Sequence, residues 1–107
     1  MIRVTSSEAF KKLTKSNPMV LVDFYADRCG PCQTISPFLE TRAGENPNIK
    51  FLKVNVDEVE ELAMEYKVSS IPYFISFLNG EFSENVIGGN QNKLDTMIKN
   101  LENGLKN

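Results

Sequence analysis

The sequence predicts an α/β domain in which a central mixed β-sheet lies between two layers of helices. Apolar and amphipathic segments alternate in the order β-α-β-α-β-α-β-β-α, which is typical of a three-layer α/β/α arrangement. Segment 19–25 is apolar on both faces except at Asp23, as expected of a parallel strand that helices cover on both sides. With 107 residues, 41% of them hydrophobic, we expect residues 1–107 to form a single domain.

The first half of the chain predicts three further elements around this strand. Thr5 and Glu8 have the spacing of a capping box, and helical periodicity follows, so a helix is expected at 6–15. A short strand at 2–4 precedes that helix. A second helix should begin at Cys29, directly after the buried strand, and continue for about four turns.

The second half predicts a strand, a short helix, a β-hairpin and a last helix. Asp57 and Glu60 are expected to cap the short helix. Asn79-Gly80 is a preferred dipeptide of two-residue hairpin turns, so the strands on either side of it should pair antiparallel. The strands before the turn are expected at 49–56 and 73–78, and the strand after it at 81–87. The last helix should have an apolar inner face, which contains Leu94, Met97, Ile98 and Leu101.

The chain has two cysteines, which lie three residues apart in Cys29-Gly30-Pro31-Cys32. A C-x-x-C segment that follows a strand and opens a helix is typical of a dithiol redox motif. Unpaired N–H groups and partial positive charge at a helix start favour a thiolate there, and Pro31 suits the first turn because it lacks an N–H. We expect Cys29 to be an exposed nucleophile and Cys32 to lie close enough to form a disulfide with it.

One acid, Asp23, lies within the apolar strand that precedes the cysteines. Burial would raise its pKa, because desolvation disfavours the charged form of a carboxylic acid. Such a carboxylate is a candidate proton acceptor for Cys32, which must lose its proton before it attacks a disulfide. The alternative is that Asp23 is a solvated residue at an edge of the sheet.

The composition argues against several other classes of protein. The absence of histidine excludes Ser-His-Asp and Cys-His catalysis within the chain, and two cysteines supply only half of a structural zinc or iron–sulfur site. We expect no metal and no cofactor. A net charge of −2 without a basic cluster, and no apolar run that could span a bilayer, predict no nucleic-acid or membrane binding. The first residues lack the apolar core of a signal peptide, so we expect a cytoplasmic location.

Several segments of the chain together match the pattern of a known family. They are Val22-Asp23-Phe24-Tyr25-Ala26, Cys29-Gly30-Pro31-Cys32, Pro37, Lys53-Val54-Asn55-Val56-Asp57, Ile71-Pro72, Asn79-Gly80 and Gly88. Through these segments the chain resembles the thioredoxin family over essentially its whole length. The resemblance implies a thioredoxin fold with a five-strand sheet and four helices, and protein-disulfide reductase activity in redox homeostasis. It also implies a monomer, an NADPH-dependent thioredoxin reductase as reductant, and disulfide clients such as peroxiredoxins.

The resemblance also implies roles for individual residues. Cys29 is the attacking thiolate, and Cys32 is the resolving thiol that forms a disulfide with Cys29 when oxidised. Gly30-Pro31 separates the two cysteines. Asp23 accepts the proton of Cys32, and Lys53 is the partner of Asp23. The residues expected around the client are Pro72, which forms a cis peptide facing the disulfide, and Arg28, Ile71, Tyr73, Gly88 and Gly89.

Three residues near this site depart from the family pattern. Arg28 stands where the family usually has tryptophan, Tyr73 where it has threonine, and Gln33 where a basic residue is common. The guanidinium of Arg28 would favour the Cys29 thiolate and raise the reduction potential, and neighbouring Asp27 would offset part of this effect. The departures therefore concern client preference and redox poise, whereas the reaction type follows from the cysteines.

Three other functions share parts of the pattern. A thioredoxin-like scaffold subunit would need neither both cysteines nor the buried acid and the proline, all of which this chain has. A disulfide oxidase or isomerase of the secretory pathway would be expected to have a signal peptide and a different dipeptide between the cysteines. A glutathione-linked glutaredoxin usually has Pro-Tyr in that place.

Overall fold

Five strands and four helices form the structure, a computed structural model that describes the backbone of residues 1–106 and the side chains of residues 1–104. The predicted order of elements is confirmed, and three of the strands have the predicted bounds. The elements are β1 (Ile2–Arg3), α1 (Ser7–Ser16), β2 (Met19–Tyr25), α2 (Gly30–Glu45), β3 (Lys50–Asn55), α3 (Glu60–Glu65), β4 (Tyr73–Leu78), β5 (Glu81–Ile87) and α4 (Gln91–Lys106).

The strands form one mixed sheet in the order β1-β3-β2-β4-β5. β3 is parallel to both β1 and β2, whereas β4 is antiparallel to both β2 and β5. The parallel pair β2–β3 requires a helical crossover, which α2 provides, and the antiparallel pair β4–β5 needs only a two-residue turn at Asn79-Gly80. The predicted thioredoxin fold is confirmed, and β2 lies at the centre of its sheet.

The two faces of the sheet carry separate apolar clusters, because successive side chains of a strand point to opposite faces. One cluster joins Leu21 of β2 to α2 and α4, and the other joins Val22 and Phe24 of β2 to α1 and α3. This places the sheet between two helical layers, as predicted. Within residues 1–106 no helix has the length and apolar character needed to cross a membrane.

The N-terminus of α1 differs from the predicted capping box at Thr5. Ser6 is the N-cap instead, because its backbone is extended (φ −152°, ψ 154°) and its hydroxyl accepts a hydrogen bond from the Ala9 N–H at 3.1 Å. The prediction was therefore wrong by one residue. Thr5 and Ser6 are both good capping residues, and the backbone conformation decides between them.

The predicted cap of α3 by Asp57 is also wrong. Val59 precedes the first residue of α3, and no side chain caps this helix. Asn55, buried at the end of β3, holds the turn instead, because its Oδ1 accepts a hydrogen bond from the Asp57 N–H at 2.9 Å. The carboxylate of Asp57 therefore remains available for another partner.

Candidate functional site

The two cysteines lie at the junction of β2 and α2, where they form a disulfide with a Cα–Cα distance of 5.3 Å. Cys29 is the N-cap of α2, and Pro31 occupies the first turn of the helix, as the sequence predicts. The Cys29 N–H donates to the Ala26 carbonyl at 3.1 Å, which folds the short loop between strand and helix back on itself. The first turn of α2 thus begins directly at the redox-active sulfur atoms.

One hydrogen bond distinguishes the two sulfur atoms. The backbone N–H of Cys32 donates to Sγ of Cys29 at 3.2 Å. A thiolate at Cys29 would keep this donor and the partial positive charge of the helix start, so the arrangement favours a charged Cys29 in the reduced protein. The geometry therefore supports Cys29 as the nucleophile.

The disulfide is less exposed than the sequence predicts. Cys29 is 8% exposed and Cys32 is 5% exposed in this oxidised form. Both pack with Ala26 in a small apolar cluster against neighbouring side chains, including Ile71 and Val56. The side chains around the disulfide therefore cover most of both cysteines in this form.

Asp23 is buried in the centre of the sheet, which rules out the alternative of a solvated edge residue. It is 6% exposed, and its Oδ1 has no hydrogen-bond partner among the described residues. Desolvation by burial raises the pKa of Asp23 to about 7, and the positive charge of Lys53 opposes this rise. Asp23 can therefore exchange a proton near neutral pH.

Lys53 lies beside Asp23 because the two residues are register partners in the parallel pair β2–β3. The Nζ of Lys53 lies 5.6 Å from the centroid of the Tyr25 ring, within the range of a cation–π contact. The position predicted for Lys53 next to the acid is therefore found in the structure. Tyr25, for which the sequence predicted no role at the site, holds the ammonium group in place.

A cavity of about 120 Å³ joins Asp23 to the disulfide. It is lined by both polar and apolar residues and has room for several water molecules, each of which needs about 10–15 Å³ on this measure. Such a cavity supplies a short path for a proton between the thiol of Cys32 and the carboxylate of Asp23. The lining residues are Asp23, Tyr25, Ala26, Asp27, Cys32, Gln33, Ser36 and Lys53.

Pro72, directly before β4, and Gly88, directly after β5, lie next to each other. The Ile71–Pro72 peptide bond is cis, and the Gly88 N–H donates to the Pro72 carbonyl at 2.8 Å. Gly88 has a φ of +88°, a conformation that favours glycine and lets this loop meet the loop of the cis-proline. Tyr73 follows directly, and its hydroxyl accepts a hydrogen bond from the Asn85 side chain at 3.1 Å.

A groove along the start of α2 lies on another side of the disulfide. Pro31 and Ile35 form one wall, and Gly89 and Gln91 form the other. A Cβ atom at Gly89 would lie 3.5 Å from the Cβ of Ile35, an ordinary van der Waals contact, so Gly89 lies close to this face of α2. The structure thus brings Gly89, predicted as a client contact, next to the active-site helix.

Arg28, in place of the family's tryptophan, forms an ion pair that the sequence did not predict. Its Nε lies 3.3 Å from Oδ2 of Asp57, and its Nη2 donates to Oδ1 of the same carboxylate at 3.4 Å. The side chain of Arg28 is 68% exposed. Asp57 is therefore an acid that offsets the charge of Arg28, in addition to the neighbouring Asp27 that the sequence predicted for this effect. The sequence feature that could have predicted this ion pair is the opposite charge of two residues in loops that follow neighbouring parallel strands.

The described residues offer no metal site at this position or elsewhere. No three of their cysteine and carboxylate side chains lie close enough together to hold a metal ion.

The chain matches the family model of thioredoxin over residues 1–101. It is 43% identical to Thioredoxin-2 of Pyricularia oryzae over 95 residues. The aligned region covers 89% of this chain but 56% of that protein. It is 38% identical over 97 residues to Thioredoxin-1 of Schizosaccharomyces pombe, which covers 91% of this chain and 94% of that protein.

Solved structures agree with these relatives. Mitochondrial thioredoxin 3 from Saccharomyces cerevisiae, in its oxidised form, superposes with a TM-score of 0.91 at 34% identity, covering 94% of this chain and 95% of that one. A second structure superposes with a TM-score of 0.91 at 33% identity, covering 94% of this chain and 95% of that one. It concerns the thiol resolving mechanism in a yeast mitochondrial 1-Cys peroxiredoxin through the glutathione and thioredoxin systems. With its redox-active cysteine pair, this chain is a thiol-disulfide oxidoreductase that belongs to the thioredoxin family.

Proposed function

We propose that this protein is a protein-disulfide reductase in which Cys29 attacks the client and Cys32 resolves the mixed disulfide. One observation carries the proposal: the cavity beneath the disulfide is lined by both Cys32 and the buried carboxyl group of Asp23. Only the resolving thiol needs a nearby proton acceptor, since the other thiol is stabilised as a thiolate by the helix start.

The reaction begins when the Cys29 thiolate attacks one sulfur of a client disulfide. The client S–S bond breaks, a mixed disulfide forms, and the first client thiolate leaves and takes a proton from solvent. Cys32 then transfers its proton towards Asp23, directly or through water, and attacks Sγ of Cys29. The mixed disulfide breaks, the second client thiolate leaves, and two electrons have passed from the Cys29–Cys32 dithiol to the client.

Lys53 assists this second step through its charge. The pKa of Asp23, about 7, lies close to neutral pH because the Lys53 ammonium opposes part of the effect of burial. A proton acceptor works best when its pKa is close to the working pH. We therefore assign to Lys53 the role of keeping Asp23 partly ionised at neutral pH.

The electron source and the clients belong to the same proposal. We infer re-reduction by an NADPH-dependent thioredoxin reductase, in a reducing compartment such as the cytoplasm, and action as a monomer. Disulfide-bearing peroxiredoxins are proposed as clients, supported by the similarity to a yeast structure that concerns thiol resolution in a peroxiredoxin. The proposed client contacts are residues near the disulfide and the cis-proline: Arg28, Ile71, Pro72, Tyr73, Gly88 and Gly89.

Turnover with thioredoxin reductase, NADPH and insulin tests this function. We expect NADPH oxidation that depends on insulin disulfides and is abolished by Cys29→Ser. Cys32→Ser should instead accumulate a mixed disulfide with the client, because the resolving thiol is missing. A parent protein that fails to reduce insulin even with dithiothreitol would contradict the proposed activity, and trapping by Cys29→Ser alone would reverse the assigned roles.

A further inference from the structure

The short loop between β2 and α2 presents Cys29 to its client. It consists of Ala26, Asp27 and Arg28, and we call it the active-site loop. One backbone hydrogen bond spans the loop, because the N–H of Cys29 donates to the Ala26 carbonyl at 3.1 Å. Asp27 and Arg28 are both exposed, so apolar packing does not hold these two residues in place.

The first side-chain contact holds the active-site loop to the loop that follows β3. The two donors of Arg28 face the two oxygens of the Asp57 carboxylate at 3.3 and 3.4 Å. A two-point contact between a guanidinium and a carboxylate restrains orientation as well as distance. Asp57 is itself restrained, because its N–H donates to the buried Asn55 at 2.9 Å. The ion pair thus connects the residue before Cys29 to the loop that the buried Asn55 holds at the end of β3.

The second contact holds the active-site loop from the side of α2. The side chain of Gln33 reaches back over the first turn of the helix, and its Nε2 donates to the Asp27 carbonyl at 2.8 Å. Its own backbone N–H donates to the Cys29 carbonyl at 3.2 Å. Gln33 therefore joins the loop and the helix that carries Cys32. Both contacts are made by residues at which this chain departs from its family pattern.

Resolution of the mixed disulfide is the step in which this loop matters most. A client bound to Cys29 can pull the active-site loop away from α2, whereas Cys32 must reach Sγ of Cys29 in line with the bond that breaks. Reactions within one molecule gain their speed from such alignment, and small displacements of the reacting atoms slow them strongly.

We propose that Arg28 and Gln33 are positioning residues that hold the active-site loop from two sides and keep Cys29 within reach of Cys32 in the mixed disulfide. This inference rests on the proposed reductase function. In the step concerned, Cys32 loses its proton to Asp23, a bond forms between the sulfur atoms of Cys32 and Cys29, and the client leaves as a thiolate.

Single-turnover kinetics test the proposal. The reduced protein is mixed with a peptide that has one disulfide and uncharged flanking residues. The reaction is quenched with acid at successive times, and the free thiols are alkylated. The amounts of mixed disulfide and of oxidised protein then give the rates of attack and of resolution separately. We expect Arg28→Met and Gln33→Met each to slow resolution by about two- to fivefold, the range of exposed polar contacts, and to change attack less. The double variant should slow resolution by about tenfold. Arg3→Met, which breaks an exposed ion pair with Glu58, is the matched control and should leave resolution unchanged.

A charge-swapped variant separates positioning from the effect of the Arg28 charge. Arg28→Asp combined with Asp57→Arg restores the ion pair with opposite polarity, so resolution should return to within about twofold of the parent. Asp57→Asn alone should be as slow as Arg28→Met. Resolution that stays slow in the swapped variant, or a double Met variant that resolves as fast as the parent, would overturn the inference. Insulin reduction by the parent tests the reductase function independently of these results.

Discussion

Replacement of Asp23 by asparagine should stabilise the protein, and the size of the effect should depend on pH. Asp23 is 6% exposed, and Oδ1 lacks a hydrogen-bond partner among the described residues. The carboxyl group is therefore tolerated in its neutral form and unfavourable in its charged form. Asparagine has nearly the same shape and never ionises, so Asp23→Asn removes the unfavourable charge with little change in packing.

The magnitude follows from the difference in the pKa of Asp23 between the two states. The pKa of Asp23 is about 7 in the folded protein, against 3.8 for an unperturbed aspartate. Between these values the folded protein holds a proton that the unfolded chain has released, so the stability of the parent falls as pH rises. Each unit of pKa corresponds to about 1.4 kcal/mol. The loss in the free energy of unfolding of the parent protein is absent below about pH 4 and reaches roughly 4 kcal/mol above pH 7.

Urea unfolding of the oxidised parent and of Asp23→Asn between pH 4 and pH 9 measures this difference. The gain in free energy of unfolding should rise by about 1.4 kcal/mol per pH unit up to neutral pH and then level off. Asp27→Asn is the matched control, because this exposed aspartate lies at the rim of the same cavity and is solvated in both states. A difference that is independent of pH would contradict this prediction, since it would mean that Asp23 ionises as easily in the folded protein as in the unfolded chain.

Three further measurements test other parts of the structure. Ser6→Ala should lower the free energy of unfolding by about 1 kcal/mol because it removes the N-cap of α1, whereas Thr5→Ala should leave it nearly unchanged. Lys67→Gly should raise the free energy of unfolding by about 1 kcal/mol, because Lys67 has a φ of 53° that glycine adopts without strain. A free energy of unfolding in urea below that of the parent would contradict this. Arg28→Trp should lower the reduction potential measured against glutathione by at most ~20 mV, because it removes an exposed cation beside the active-site thiolate, and a rise would be the opposite of what we expect.

The order of the elements and the residue types at the site could be predicted from the amino-acid sequence alone. Strands β2, β4 and β5 have the predicted bounds, because hydrophobic periodicity and turn dipeptides such as Asn79-Gly80 are local signals. The redox function also follows from local residues, since Cys29 and Cys32 open a helix directly after a buried strand. The burial of Asp23 was predictable for the same reason: an acid inside an apolar strand is carried into the core with its neighbours.

The side chains that meet at the active-site loop could not be predicted from the sequence, because they come from segments far apart in the chain. Asp57 lies 29 residues from Arg28 and was predicted to cap a helix, yet the two form an ion pair. The physical reason is strand register: Tyr25 and Asn55 are partners at the ends of the parallel strands β2 and β3, so the loops that follow both strands emerge at one edge of the sheet. Composition and periodicity describe each segment alone, whereas contacts between loops depend on how the segments are aligned in space.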